Sequence, residues 1–261
     1  LVRFLPLILG LIYFSDRAKQ LHLHKYILLI SGIIIFASSE RTALFLYFAI
    51  LTGYILIIKN KLRVILTSVF IMLILFTLNP NLRNKYITST LEQMEFVNSV
   101  HYNSDKIRFI SAEHENLIHS AIINFKENFL FGSGVKTFHP QCTKLKEQII
   151  EDGNKRNMMQ CSTHPHSTYF QLLSDIGIFG FLIIFYFLYY IILTFSKMLF
   201  NLNRTNKYFL SYYFINLGML INLFPLIPSG SFFNNWICLM ISYLFGFWLF
   251  LKTEIIQRKL I

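Results

Sequence analysis

Seven apolar stretches, separated by short charged connections, constrain this chain more than any other feature. They cover approximately residues 4–14, 26–38, 42–58, 62–78, 176–195, 208–226 and 232–251. A bilayer core of about 30 Å, climbed at about 1.5 Å per helical residue, asks for about 20 apolar residues per span. The stretches come near that length, the first cut short and the second either tilted or extended through Leu21 and Leu23. In lipid the backbone has to satisfy its own hydrogen bonds, and the alternation of a barrel strand is missing, so every stretch is predicted to be helical. Apolar residues make up 54% of the chain and charged ones 14%, against roughly 25% charged in a soluble domain. A water-soluble globule is excluded.

The formal charge of +11 comes from 24 Lys and Arg against 13 Asp and Glu. In a soluble protein that excess would suggest nucleic acid. Here residues 80–167 are nearly neutral, and the excess sits mostly in short gaps between apolar runs, where it reports membrane orientation. Arg17, Lys19 and Lys25 form one such set, and Lys59, Lys61 and Arg63 the next. Lys197, Arg204 and Lys207, then Lys252, Arg258 and Lys259, complete the pattern. The alternate connections, around 39–41 and 225–235, carry one cation and none. Placing the triplets in the cytoplasm gives a strictly alternating path with residues 80–167 outside. The fold class predicted is all-α: a multi-pass transmembrane helix bundle (1–79 and 168–261) with one large outer helical loop (80–167). Leu1 in place of Met, with Arg3 already beside an apolar run, predicts the C-terminal portion of a longer protein.

The outer loop holds six of the eight histidines: His101, His114, His119, His139, His164 and His166. Apolar residues from Ile107 to Phe125 form a broad stripe that predicts a helix over about 105–128, ended by Gly132-Ser133-Gly134. The most informative stretch is His164 to Gly180, HPHSTYFQLLSDIGIFG. Pro165 biases His164 toward extended backbone, and Thr168-x-x-Gln171 reads as a capping box, so a helix is predicted to begin just after His166. His166 then sits at a helix mouth, where free N–H groups and the positive end of the dipole favour an anion. A neutral imidazole there can accept a proton from an attacking hydroxyl near pH 7. The alternative is a histidine that only caps an interfacial helix.

His166-Ser167, followed after nine residues by Gly177-Ile178-Phe179-Gly180, resembles the H-[NSQ]-x9-G-x-x-G signature of the bacterial O-antigen ligase and polymerase superfamily. Ser39-Glu40-Arg41-Thr42-Ala43-Leu44 resembles its S-x-R-T-A/G-L at the outer end of a span. Arg108 stands where the family places a loop arginine, and Phe131-Gly132-Ser133-Gly134 resembles its G-x-G turn. The likeness runs from about Ser39 to Gly180 in matching order and spacing.

The resemblance implies transfer of a glycan from an undecaprenyl-diphosphate carrier to an acceptor hydroxyl, lipid A core for a ligase, at the periplasmic face of the inner membrane. It implies no cofactor, no metal and no nucleic acid partner. His166 corresponds to the family's essential histidine, and Arg41 and Arg108 to its functional arginines. Guanidinium forks bind diphosphate oxygens bidentately and stay charged. Arg41 is the lone cation of the outer turn at 38–41, although an arginine there can also merely snorkel.

Four further positions are candidate substrate-binding residues: His164, Asp175 and the two glycines Gly132 and Gly134. Asp175 lies near the membrane surface, where an acid is costly unless partnered. Gly132 and Gly134 let backbone N–H groups approach a phosphate, or simply make a turn. Cys142 and Cys161 in the outer loop can pair as a disulfide, while His139-x2-Cys142 and Cys161-x2-His164 also have spacing compatible with zinc. Within the same chemistry the acceptor can instead be a growing repeat unit (polymerase) or an exported protein (O-oligosaccharyltransferase). A non-catalytic polysaccharide transporter subunit would carry charges along a path through the spans, and these spans contain almost none. A metal-dependent periplasmic hydrolase built on the loop His and Cys residues is the third class.

Overall fold

A computed structural model describes residues 1–17, 21–58, 62–93, 112–151, 161–200, 206–224 and 229–258. Among them every regular element is a helix. We number the long ones α1 (Leu5–Phe14), α2 (Leu23–Ala37), α3 (Arg41–Ile57), α4 (Leu62–Leu78), α5 (Ala112–Glu127), α6 (Phe138–Glu151), α7 (Thr168–Phe200), α8 (Lys207–Asn222) and α9 (Asn235–Gln257). A broken helical run, Pro80–Arg83, Asn84–Thr88 and Ser89–Gln93, follows α4. Each of the seven apolar stretches holds a helix.

Two of these helices, α7 and α9, are long and apolar enough to cross a membrane, and a third span results if Leu66–Leu78 and Pro80–Glu92, bent by 101°, count as one. The helices of the first three stretches are shorter than a full span. Left-handed backbone at His22 (φ 54°) and Ser39 (φ 57°) brackets α2, and its 15 residues rise about 22 Å. Asn79 ends α4 by accepting the N–H groups of Asn81 and Leu82, which starts the chain off in a new direction at Pro80.

The chain divides into two compact units, Leu1–Thr88 with Tyr189–Leu223 and Met240–Ile261, and Ser89–Leu188 with Phe224–Leu239. This division follows packing, whereas the three segments read from the sequence follow sidedness. In the first unit α8 is buried on nearly every side, as a helix at the centre of a bundle must be. Gly10 lets α1 approach it closely, since a Cβ there would lie 3.3 Å from the Ser211 carbonyl. Tyr213 donates to the Gly53 carbonyl at 2.8 Å, and Trp248 Nε1 to Asn216 Oδ1 at 3.2 Å. By contrast α4 leaves Leu66, Phe70 and Leu73 exposed, the sort of apolar surface that lipid covers.

The second unit is built on α5, α6 and the start of α7. Leu117 and Ala121 of α5 and Phe138 and Cys142 of α6 form its core, with Leu145, Cys161 and Phe170 against it. Helix α5 covers the part of the predicted 105–128 helix that is described. His101 and Arg108 lie outside the described residues.

Candidate active site

Helix α7 starts at Thr168, just after His166 as predicted, but the capping box is not what starts it. Thr168 Oγ1 instead meets Ser229 Oγ at 2.8 Å. Gln171 donates through Nε2 to Asp175 Oδ2 (3.2 Å) and Ser231 Oγ (2.9 Å), and accepts the Phe232 N–H at 2.8 Å. Both side chains are drawn sideways because the 229–232 segment offers buried partners that solvent at a free helix end would not. Gln171 therefore ties α7 to the 229–232 segment.

Ten residues past Ser167, α7 breaks. Gly177 takes φ 65° and ψ −168° in the middle of the helix, a conformation open essentially only to glycine. The turn after α5 fills the break. Ser133 and Gly134 donate to the Ser174 and Asp175 carbonyls (2.9 and 3.0 Å), while Ile178 donates to the Phe129 carbonyl (3.0 Å). Backbone groups that the break would orphan are thus satisfied by the turn.

The two glycine motifs interlock. A Cβ on Gly177 would strike the Leu130 carbonyl, and one on Gly132, at φ 71°, would strike the Asp175–Ile176 peptide. The Gly132 N–H donates to Asn128 and the Gly134 N–H to Asp175, so both are spent within the fold rather than held out toward a phosphate.

Around this crossing lies a buried polar network. Asn124 Nδ2 donates to Ser174 Oγ at 2.6 Å and Ser133 Oγ at 3.0 Å, and Ser133 Oγ meets Thr137 Oγ1 at 2.8 Å. Asp175 is 1% exposed. Its Oδ2 also accepts the Lys136 N–H at 3.4 Å, while Oδ1 is buried without a hydrogen bond. The carboxylate is thereby aimed at the scaffold, where it fixes the turn and Gln171.

The histidines sit above this scaffold. His166 is left-handed at φ 53°, unusual for a side chain with a Cβ, and its carbonyl accepts the Ser229 N–H at 2.9 Å. Its ring stands 4.2 Å from that of His164 and 5.6 Å from that of His114. An open cavity of about 480 Å³ is lined by Glu113, His114, Leu117, Lys146, Cys161, Ser162 and His166. Burial and the neighbouring His114 lower the His166 pKa from 6.5, with Glu113 pulling the other way. Burial, then the charge of His166, lowers that of His164. Both imidazoles are therefore neutral at pH 7, with a lone pair able to take a proton.

Cys142 and Cys161 are joined in a disulfide. It anchors the segment leading to His164 onto α6, and it removes both thiolates from the zinc pattern. Among the described residues no group of three or more His, Cys, Asp or Glu side chains is placed to hold a metal ion.

Arg41, in the first unit, is the first residue of α3. Ser38 Oγ donates to the Ile35 carbonyl at 2.7 Å and left-handed Ser39 turns the chain into it. A cation at a helix N-terminus is on the wrong end of the dipole, at a cost of about 0.3–1 kcal/mol.

His114, Glu113 and Lys146 were not singled out by sequence reasoning as partners of His166. The available signal is that His114 lies three residues before Leu117 and seven before Ala121, on the apolar stripe of α5.

No curated protein and no solved structure is significantly similar to the chain. A family model described as O-antigen ligase matches residues 26–185, more than half of the chain, and takes in the Ser39–Leu44 motif, the Gly132 turn, His166 and the Gly177 break. The chain belongs to the O-antigen ligase family, bacterial membrane glycosyltransferases of the ligase and polymerase type.

Proposed function

We propose that the protein transfers a glycan from undecaprenyl diphosphate to a hydroxyl of the lipid A core at the periplasmic face of the inner membrane. The observation that carries this reading is the His166 imidazole, held neutral beside an open cavity immediately before α7. The acceptor oxygen attacks the anomeric carbon while its proton passes to the imidazole. The bond from that carbon to the diphosphate oxygen breaks, undecaprenyl diphosphate leaves with the electron pair, and the configuration inverts.

Negative charge builds on the leaving group, and Arg41 and Arg108 compensate it by bidentate hydrogen bonds. No metal is needed for that compensation. Lys146, on the wall of the His166 cavity, adds a further cation. His164 orients His166 and the acceptor, and Asp175 acts through the Gly132 turn. The undecaprenyl tail lies among the spans, so turnover requires lipid or detergent.

The test is complementation of a deletion strain by the complete protein carrying His166→Ala, Arg41→Ala or Arg108→Ala, paired with transfer assays in detergent. Removing a general base typically costs about 10²–10⁴ in rate, so His166→Ala is expected to abolish capped surface glycan. Unchanged glycan profiles in all three variants would dispose of the reading. So would reporter fusions placing residues 80–167 in the cytoplasm. The material that accumulates identifies the acceptor: uncapped lipid A core for a ligase, single repeat units for a polymerase, unmodified exported protein for an O-oligosaccharyltransferase. The pH profile of kcat/KM gives a second check. Activity is lost as pH falls through the His166 pKa, which lies below 6.5, so the profile is flat from pH 7 upward until another group titrates. A limb with its midpoint above 7 contradicts a neutral His166 base.

A further inference from the structure

The second unit holds another cavity, of about 740 Å³, and the mechanism above does not use it. The His164 ring lines it, whereas the His166 ring, 4.2 Å away, lines the smaller one. The pair of imidazoles stands between the two. Its wall also includes Ser231, Asn234, Asn235 and Trp236, together with Lys136, His139 and Thr163. Its volume falls within the roughly 300–1,000 Å³ of small-molecule sites.

The composition of that wall is specific. Trp236 is 75% exposed, and an exposed indole offers a large rigid apolar face. A tryptophan that merely anchors a helix at the headgroups needs no polar company. This one shares its cavity with two amides, two hydroxyls, two imidazoles and an ammonium.

Asn234 accepts the Trp236 backbone N–H at 3.1 Å, which fixes the amide and presents Nδ2 as its remaining donor. Ser231 Oγ accepts from Gln171 at 2.9 Å, so its O–H is the part left to donate. A pyranose ring needs this combination: its C–H face lies flat on an aromatic face, and its ring of hydroxyls wants short donors and acceptors at the edge. Gln171 and Asn234 hold the donors in place beforehand, which lowers the ordering cost of binding.

We propose that this cavity is a saccharide subsite, with Trp236 as the stacking platform and Asn234, Asn235 and Ser231 as the hydrogen-bonding edge, and that it receives the acceptor glycan. The acceptor assignment rests on the role given to His166 under the proposed function; the saccharide site does not. A ring seated on Trp236 reaches the catalytic pair from the His164 side and leaves the Lys146 side to the diphosphate.

The test uses the 261-residue chain in detergent micelles and core oligosaccharide freed from lipid A by mild acid. The chain has two tryptophans. Trp248 is 4% exposed and hydrogen-bonded to Asn216, so a change in emission on titration reports Trp236. A saturable change is expected in the wild type and in His166→Ala, and none in Trp236→Ala. In transfer assays Trp236→Ala is expected to raise the acceptor KM at least tenfold with the donor KM unmoved, and Trp236→Phe to restore most of it. Asn235→Ala, which leaves the Asn234 cap in place, is expected to weaken the oligosaccharide at least threefold while keeping the emission change. A saturable change without any transfer supports the subsite and counts against the role of His166. No saturable change in the wild type, or one that persists in Trp236→Ala, overturns the subsite even where transfer is intact.

Discussion

The two units are held together by different chemistry. In the first, α8 is surrounded by rings and aliphatic side chains: Tyr13 stacks on Phe214 at 5.1 Å, Phe195 on Tyr213 at 5.0 Å, and Gly10 and Gly53 bring neighbouring helices close. Helices that sit in lipid gain little from hiding apolar surface and associate through such close packing. The second unit relies on the Cys142–Cys161 disulfide, the Asn124–Ser133–Ser174 cluster and the exchange of backbone hydrogen bonds between the turn and the Gly177 break. Directional bonds place atoms more tightly than apolar contact does, and the unit that uses them is the one that carries His166. The lesson is that one chain uses adaptable packing in one unit and directional polar geometry in the unit that holds the proposed base.

That contrast can be broken most directly at Gly177. Gly177→Ala adds a strained φ to a collision with the Leu130 backbone, neither of which side-chain movement relieves. A loss of about 3 kcal/mol or more is expected, read as a lower unfolding midpoint in detergent. Cys142→Ser comes next. Opening the cross-link costs about 3 kcal/mol in the chain-entropy account, and amide exchange should rise over α5 and α6 while α8 stays protected. Exchange that rises equally in α8 would show that the units are not separable. The smallest effect belongs to Gly53→Ala in the first unit. Its Cβ would lie 2.6 Å from Leu217 Cδ2, the mobile end of a side chain, so a cost of about 1 kcal/mol is expected. Equal losses at Gly53 and Gly177 would erase the distinction between adaptable and rigid packing.

The helices were legible because lipid leaves the backbone no alternative: each apolar run is helical, and α4 spans Leu62–Leu78 as its run predicts. Lengths were less so. Whether α2 continues past Ala37 depends on the single left-handed residue Ser39, and hydropathy does not encode that. At the site, His166 could be read from its motif and from Pro165 and Thr168 around it. The reason for its glycines could not, since Gly132 and Gly177 are 45 positions apart and explain each other only once their backbones cross. Thr168 and Gln171 misled for a related reason. Their spacing fits a local cap, but Ser229, Ser231 and Phe232 arrive from a distant segment and take the same donors and acceptors.

The crossing of the turn with the broken helix has a consequence for engineering. Because each strand of backbone occupies the space where the other would need a side chain, residues 129–134 and 174–179 form one inheritable part. A chimera that grafts a homologous loop onto this scaffold while keeping its own helix would import half of a joint. Exchanges that carry both segments together are the ones that keep the joint intact.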